Sequence, residues 1–115
     1  MLKIAKEDNE YRVELFQVNR LNTLFSDLVQ KQLQELVETT GVSVIFNLKG
    51  IMFIDTAGFR VLKEISEHAR RCGSRFMLCN VSDDVKELIR LLELEDAFSF
   101  CVCDHAEEKI LMVLD

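Results

Sequence analysis

The sequence predicts a small layered α/β domain with a mixed, mostly parallel sheet, an N-terminal antiparallel hairpin and four helices. Three observations predict it. Short apolar runs with strand-like composition alternate with segments whose apolar residues recur every three and four positions. A polar turn joins the first two runs, which reads as a hairpin. There is no proline, and the four glycines, Gly41, Gly50, Gly58 and Gly73, punctuate the elements. At 115 residues, without a linker-like or repeated stretch, the chain is expected to form one domain over residues 1–115.

The elements follow in order. Residues 2–6 and 11–18 read as strands joined by Glu7-Asp8-Asn9-Glu10. Tyr11 to Phe16 alternate, so one face is exposed. From Asn22 the period lengthens, and Phe25, Leu28, Val29, Leu33 and Leu36 form one apolar stripe of a helix. Asn22 or Thr23 caps its start, and Thr39-Thr40-Gly41 ends it. Val42 to Leu48 is almost wholly apolar and rich in β-branched residues, the composition of a buried central strand. Lys49-Gly50 breaks it, and Ile51 to Ile54 lead to a second helix with Val61, Leu62, Ile65 and Ala69 inward, stopping at Cys72-Gly73. Arg75 to Cys79 is a strand. A third helix starts near Ser82, with Asp83 and Asp84 where negative charge suits the helix dipole, and turns Val85, Leu88, Ile89 and Leu92 inward. Ser99 to Cys103 reads as a last strand and Glu107 to Leu114 as a fourth helix. Strands alternating with helices imply parallel pairing and right-handed crossovers.

Composition narrows the function. The net charge of −6 and the lack of any basic block beyond Arg70-Arg71 oppose binding to nucleic acid or to anionic membranes. No apolar run reaches the ~20 residues of a membrane span, and residues 1–6 lack the apolar core of a signal peptide. A cytoplasmic location and a protein partner are the expectation. The four cysteines, Cys72, Cys79, Cys101 and Cys103, then read as reduced, buried thiols. Cys101-x-Cys103-x-His105 does not have the spacing of common zinc sites, and His68 sits in a helical pattern as a surface or boundary residue. No metal or cofactor is expected.

The chemistry concentrates in Asp55-Thr56-Ala57-Gly58, between an apolar run and a helix. A GTPase would need a Gly-x-x-x-x-Gly-Lys-Ser/Thr loop upstream to wrap the phosphates, yet no glycine precedes Gly41. Aspartic proteases place glycine directly after the threonine and need a second aspartate, whereas here Ala57 intervenes and a helix follows. Neither histidine sits in a nucleophile–base motif, and no serine or cysteine has an elbow sequence. The segment therefore reads as non-catalytic. A hydroxyl at a strand–helix corner remains, as a plain helix cap at Asp55 or Thr56 or as a modifiable site.

The flanks add a resemblance. Asn47-Leu48, then Ile54-Asp55-Thr56-Ala57-Gly58-Phe59, then Gly73 before a strand, Asn80-Val81-Ser82 and a helix with Val85, Leu88, Ile89 and Leu92 resemble the STAS domain of bacterial anti-sigma-factor antagonists, over about residues 2 to 112. That family's signature is Asp-Ser-Ser-Gly-Leu-Gly, with threonine allowed at the hydroxyl positions. The resemblance implies a partner switch in transcriptional signalling. The unphosphorylated domain binds an anti-sigma factor that is also a serine/threonine kinase, and a serine/threonine phosphatase reverses its phosphorylation. By position Thr56 is the acceptor, and Asp55, Thr56, Ala57, Gly58, Phe59, Arg60 and Asn22 form the partner-binding surface. Ala57 replaces the second hydroxyl, Phe59 a leucine and Arg60 the second glycine, while Asn22 stands where the family has an aspartate. The alternative the resemblance allows is an adaptor subunit of a transport or sensory complex, never phosphorylated.

Overall fold

A computed structural model describes residues 2–16, 19–21, 23–102 and 110–114, and gives the backbone alone for 23–25 and 110–114. The N-terminal hairpin forms as the alternation requires. β1 (Leu2–Glu7) pairs antiparallel with β2 (Glu10–Leu15), from Leu2 opposite Leu15 to Glu7 opposite Glu10. A two-residue strand, β3 (Arg20–Leu21), precedes α1 (Thr23–Val37). The apolar run yields β4 (Ser43–Asn47), parallel to β2. β5 (Phe53–Ile54) pairs parallel with β3 and feeds directly into α2 (Thr56–Cys72). β6 (Arg75–Cys79) lies parallel to β4 and is followed by α3 (Asp83–Leu91). After a single 3-10 turn at Glu95–Ala97, β7 (Ser99–Phe100) joins β6 in parallel, and β8 (Ile110–Leu114) joins β1 antiparallel. The main sheet runs β7-β6-β4-β2-β1-β8, and β3 with β5 forms a separate two-stranded ribbon.

The mixed, mostly parallel sheet and the hairpin are as expected, but the described residues hold three α-helices rather than four. Of the expected helix over Glu107 to Leu114, residues 107–109 lie outside the described ones and Ile110–Leu114 is β8. Five apolar residues in a row leave a helix no polar face. As a strand the same run satisfies the backbone groups along the free edge of β1. The strand expected over 99–103 ends at Phe100, with Cys103 outside the described residues. Residues 17 and 18, the end of the strand expected over 11–18, also lie outside them.

Alternate residues of the strands face the helices. Val13 and Leu15, Val44 and Phe46, and Phe76 and Leu78 enter one core with Val29, Leu33 and Val37 of α1 and Leu62, Ile65 and Ala69 of α2. Each valine, leucine, isoleucine or phenylalanine among them contributes about 1.5–3 kcal/mol when fully removed from water. The helix ends are fixed chemically. Gly73 adopts φ 73°, ψ 26°, the left-handed turn that stops α2. The buried Ser74 hydroxyl lies 2.6 Å from the Val37 carbonyl oxygen and 3.2 Å from that of Ala69, so one donor serves the C-terminal ends of α1 and α2. Ser82 caps α3 by accepting from the Val85 N–H at 3.2 Å. Leu92, expected inward, follows the end of α3 and is half exposed.

Candidate functional site

The C-terminal ends of the parallel strands carry the site, where open α/β sheets place their binding crevices. Two motif segments brace it. The buried Asn47 at the end of β4 accepts at Oδ1 from the Lys49 N–H (2.9 Å) and from Asn80 Nδ2 (3.1 Å). Asn80 stands at φ 53°, a left-handed conformation asparagine tolerates better than most residues. The Leu48 N–H donates to the Cys79 carbonyl at 2.9 Å and the Ile51 N–H to the Leu48 carbonyl at 2.9 Å. Asn47-Leu48 and Asn80-Val81-Ser82 thus hold the loop that delivers β5.

The corner itself is built from β3, β5 and the start of α2. The Met52 N–H donates to the Asn19 carbonyl at 2.8 Å and the Asp55 N–H to the Leu21 carbonyl at 3.1 Å. Asp55 is the N-cap, in extended backbone at φ −84°, ψ 177°. Its carboxylate accepts from the Gly58 N–H at 2.8 Å, so the acid is turned onto its own helix. Thr56 is the first helical residue and is exposed, Ala57 is half-buried, and Arg60, one turn on, is exposed. Positions 56 and 60 share a helix face.

Gly58 and Phe59 do not reach the surface. Gly58 is buried where α2 meets β3 and β5, and a Cβ there would lie 2.8 Å from Ile54 Cγ2 and 3.0 Å from the Leu21 carbonyl oxygen. Phe59 is 2% exposed and belongs to the core. Asn22, the remaining expected docking residue, lies outside the described residues. Sequence reasoning missed Met52 and Phe53, which are 52% and 46% exposed beside the motif, and Arg20, exposed directly opposite Phe53 in the β3–β5 register. Their apolar type disguised Met52 and Phe53. The signal was the brevity of Ile51-Met52-Phe53-Ile54 between a glycine break and a capped helix, where only Ile51 and Ile54 are buried.

No group of three His, Cys, Asp or Glu side chains among the described residues is arranged to hold a metal, and Cys103 and His105 lie outside them. Cys72 and Cys101 are half-buried free thiols. Cys79 departs from the expected reduced state, being disulfide-bonded. It ends β6 and is 1% exposed. Burial pushes the Cys101 thiol above its ordinary range, Glu10 adds to this, and Arg12 opposes it. His68 on α2 reaches Glu38, beyond the end of α1, with Nε2 to Oε2 at 3.1 Å, a boundary histidine joining two helices. A cavity of about 510 Å³ lies between α3 and Phe100, lined by Asp83, Lys86, Glu87, Ile89, Arg90 and Glu95, and does not include the Thr56 corner. No helix among the described residues is long and apolar enough to cross a membrane.

Known proteins share this architecture. The chain is similar to an anti-sigma-factor antagonist (STAS) domain protein from Planctomyces limnophilus, with 14% identity, 90% of this chain and 91% of that chain covered, and a TM-score of 0.76. It is similar to the anti-sigma factor antagonist SpoIIAA in its unphosphorylated form (14% identity, 90% and 89% covered, TM-score 0.71) and to the Bacillus SpoIIAA in its phosphorylated form (13%, 90% and 92%, 0.67). It is also similar to a part, 17% of the length, of the murine anion transporter Slc26a9, with 15% identity over 77% of this chain and a TM-score of 0.64. At these identities the likeness shows a shared fold. The family follows from the sequence itself: the model of the STAS domain matches residues 13–108, which run from within β2 through β7 and include the whole Asp55–Arg60 corner, so the chain belongs to the STAS domain family.

Proposed function

We propose that this domain is a partner-switching protein of the anti-sigma-factor antagonist kind, which binds an anti-sigma factor with serine/threonine kinase activity in the cytoplasm and is released by phosphorylation of Thr56. One observation carries the reading. Thr56 is exposed at the first position of α2, while the neighbouring Asp55 carboxylate is occupied by the Gly58 N–H. A kinase can reach the hydroxyl without unwinding the helix. The domain's part is binding, and the covalent chemistry belongs to the kinase and to an opposing phosphatase. Two structures of SpoIIAA, one unphosphorylated and one phosphorylated, share this fold and support its compatibility with such a switch.

The physics of the switch is local. A phosphate on Thr56 adds about two negative charges and three acceptor oxygens. The N-terminal turn of α2 stabilises that charge, so the fold survives it. A partner surface fitted to a neutral hydroxyl does not accommodate it, and the complex loses affinity by electrostatic and steric exclusion. Thr56, Ala57 and Arg60 make the contacts in this reading, with Gly58 and Phe59 holding the turn from beneath.

A second reading is favoured by Ala57 and Arg60, which depart from the family's hydroxyl and glycine, and by the likeness to part of the Slc26a9 transporter. The corner then docks a partner permanently, as an adaptor. Co-purification of Thr56→Ala and Thr56→Glu proteins from native cells separates the two. The switch reading expects the partner with Thr56→Ala and its loss with Thr56→Glu. Equal recovery with both variants overturns the switch in favour of the adaptor.

A further inference from the structure

We infer that the Thr56 corner docks a protein segment that presents carboxylates beside an apolar side chain. The inference rests on the reading of this corner as a docking surface and goes further by fixing the chemistry of what docks. Its basis is the local charge and polarity. Arg20 and Arg60 are both exposed, and neither guanidinium is hydrogen-bonded or ion-paired to another described residue. Arg20 stands opposite Phe53 in the ribbon register, and Arg60 shares the helix face of Thr56. Met52 and Phe53, which lead into the corner, are each about half exposed. The one acid within the motif, Asp55, is half-buried and accepts from the Gly58 N–H. One turn beyond Arg60, Lys63 and Glu64 are both exposed, and the Glu64 carboxylate accepts from Gln30 Nε2 at 2.6 Å.

The corner is therefore basic and apolar on a chain whose net charge is −6. The overall field repels an acidic partner at long range, and the two guanidiniums attract its carboxylates at short range. Arginine suits this role because its planar fork matches a carboxylate bidentately and its weak hydration permits contact beside aromatic side chains. Phe53 and Met52 supply the apolar centre, and the arginines the charged rim. An anionic membrane offers related chemistry, but membrane attraction relies on clusters of four or more cations without a strongly acidic background. Phosphorylation of Thr56 acts on the same contacts, since a phosphate one turn from Arg60 competes with the partner's carboxylates for that guanidinium.

Two helical peptides with the same leucine face, one flanked by glutamates and the other by lysines, test this on the intact protein. Binding is read by amide chemical-shift changes at low and high salt. The glutamate peptide is expected to bind, with shifts confined to residues 19–21 and 52–60, and Arg20→Glu with Arg60→Glu to weaken it about tenfold. Unchanged circular dichroism and melting of that double variant establish that it is folded, and Arg60→Gln provides a milder loss of charge. Preference for the lysine peptide at this corner overturns the inferred polarity while leaving the docking reading intact. Shifts elsewhere, or no shifts with either peptide, overturn the inference itself. Binding to phosphatidylglycerol vesicles with the same arginine dependence overturns it in favour of a membrane. Co-purification of a partner with Thr56→Ala tests the docking reading separately.

Discussion

The Asp55 carboxylate accepts a 2.8 Å hydrogen bond from the Gly58 N–H, and Thr56 beside it is exposed. Asp55 thus orders the corner, and Thr56 is free to carry function. Asp55→Ala is expected to lower stability by about 0.5–2 kcal/mol, with Asp55→Asn closer to the parent. Thr56→Ala, at an exposed position, is expected to stay within about 0.5 kcal/mol. Urea unfolding measures both, as shifts in midpoint at constant slope. An Asp55→Ala protein as stable as the parent would remove the capping argument.

Gly58 is required by space rather than by backbone freedom. A Cβ there would crowd Ile54 Cγ2 at 2.8 Å and the Leu21 carbonyl oxygen at 3.0 Å, and the second of these is backbone held within the β3–β5 ribbon. Gly58→Ala is expected to cost about 1–3 kcal/mol by overpacking. It should also broaden or shift the amide signals of residues 19–21 and 53–56 more than those of the distant β1–β2 hairpin. Uniform small shifts across the whole protein would contradict a local clash.

Asn80 combines a left-handed backbone with a side-chain bond to Asn47. Asn80→Gly loses the hydrogen bond but relieves the left-handed strain, whereas Asn80→Ala loses the bond and keeps a Cβ in the left-handed region, at about 1–2 kcal/mol relative to glycine. The expected order of melting temperature is parent, then Asn80→Gly, then Asn80→Ala. The reverse order of the two variants would show that the backbone conformation contributes no strain.

The legible parts of the sequence were those with a period or a cap. α2 could be read because Val61, Leu62, Ile65 and Ala69 recur on one face and Asp55 and Gly73 mark its ends. Ser82 marked α3 in the same way. β3 and β5 have two residues each, too few to show alternation, and their pairing is decided by residues far apart in sequence. β8 was read as a helix because a continuous apolar run has no period to distinguish the two. The exposed place of Thr56 at the start of α2 was legible from its neighbours. Phe59 and Phe53 were not, because residue type alone does not tell which of two phenylalanines flanking a turn enters the core.

The Cys101 thiol gives a pH signature. Burial, reinforced by Glu10 and partly offset by Arg12, raises its pKa in the folded protein above the value in the unfolded chain. The folded state then holds the proton more tightly. Its contribution to stability is fully present below the unfolded thiol's pKa and is lost as pH rises through the folded value. Unfolding free energy followed from neutral pH into the alkaline thiol range is expected to fall more steeply for the parent than for Cys101→Ala. Parallel profiles would contradict the raised pKa.

The central claim is that Thr56 is the modified hydroxyl. It is tested most directly by intact-mass and fragment-ion analysis of the protein incubated with ATP and the kinase partner captured from native cells. The account predicts one added phosphate, located on Thr56, and none on Thr56→Ala. Phosphate taken up equally by Thr56→Ala, or no uptake by the parent under conditions where the captured kinase is active, would contradict it.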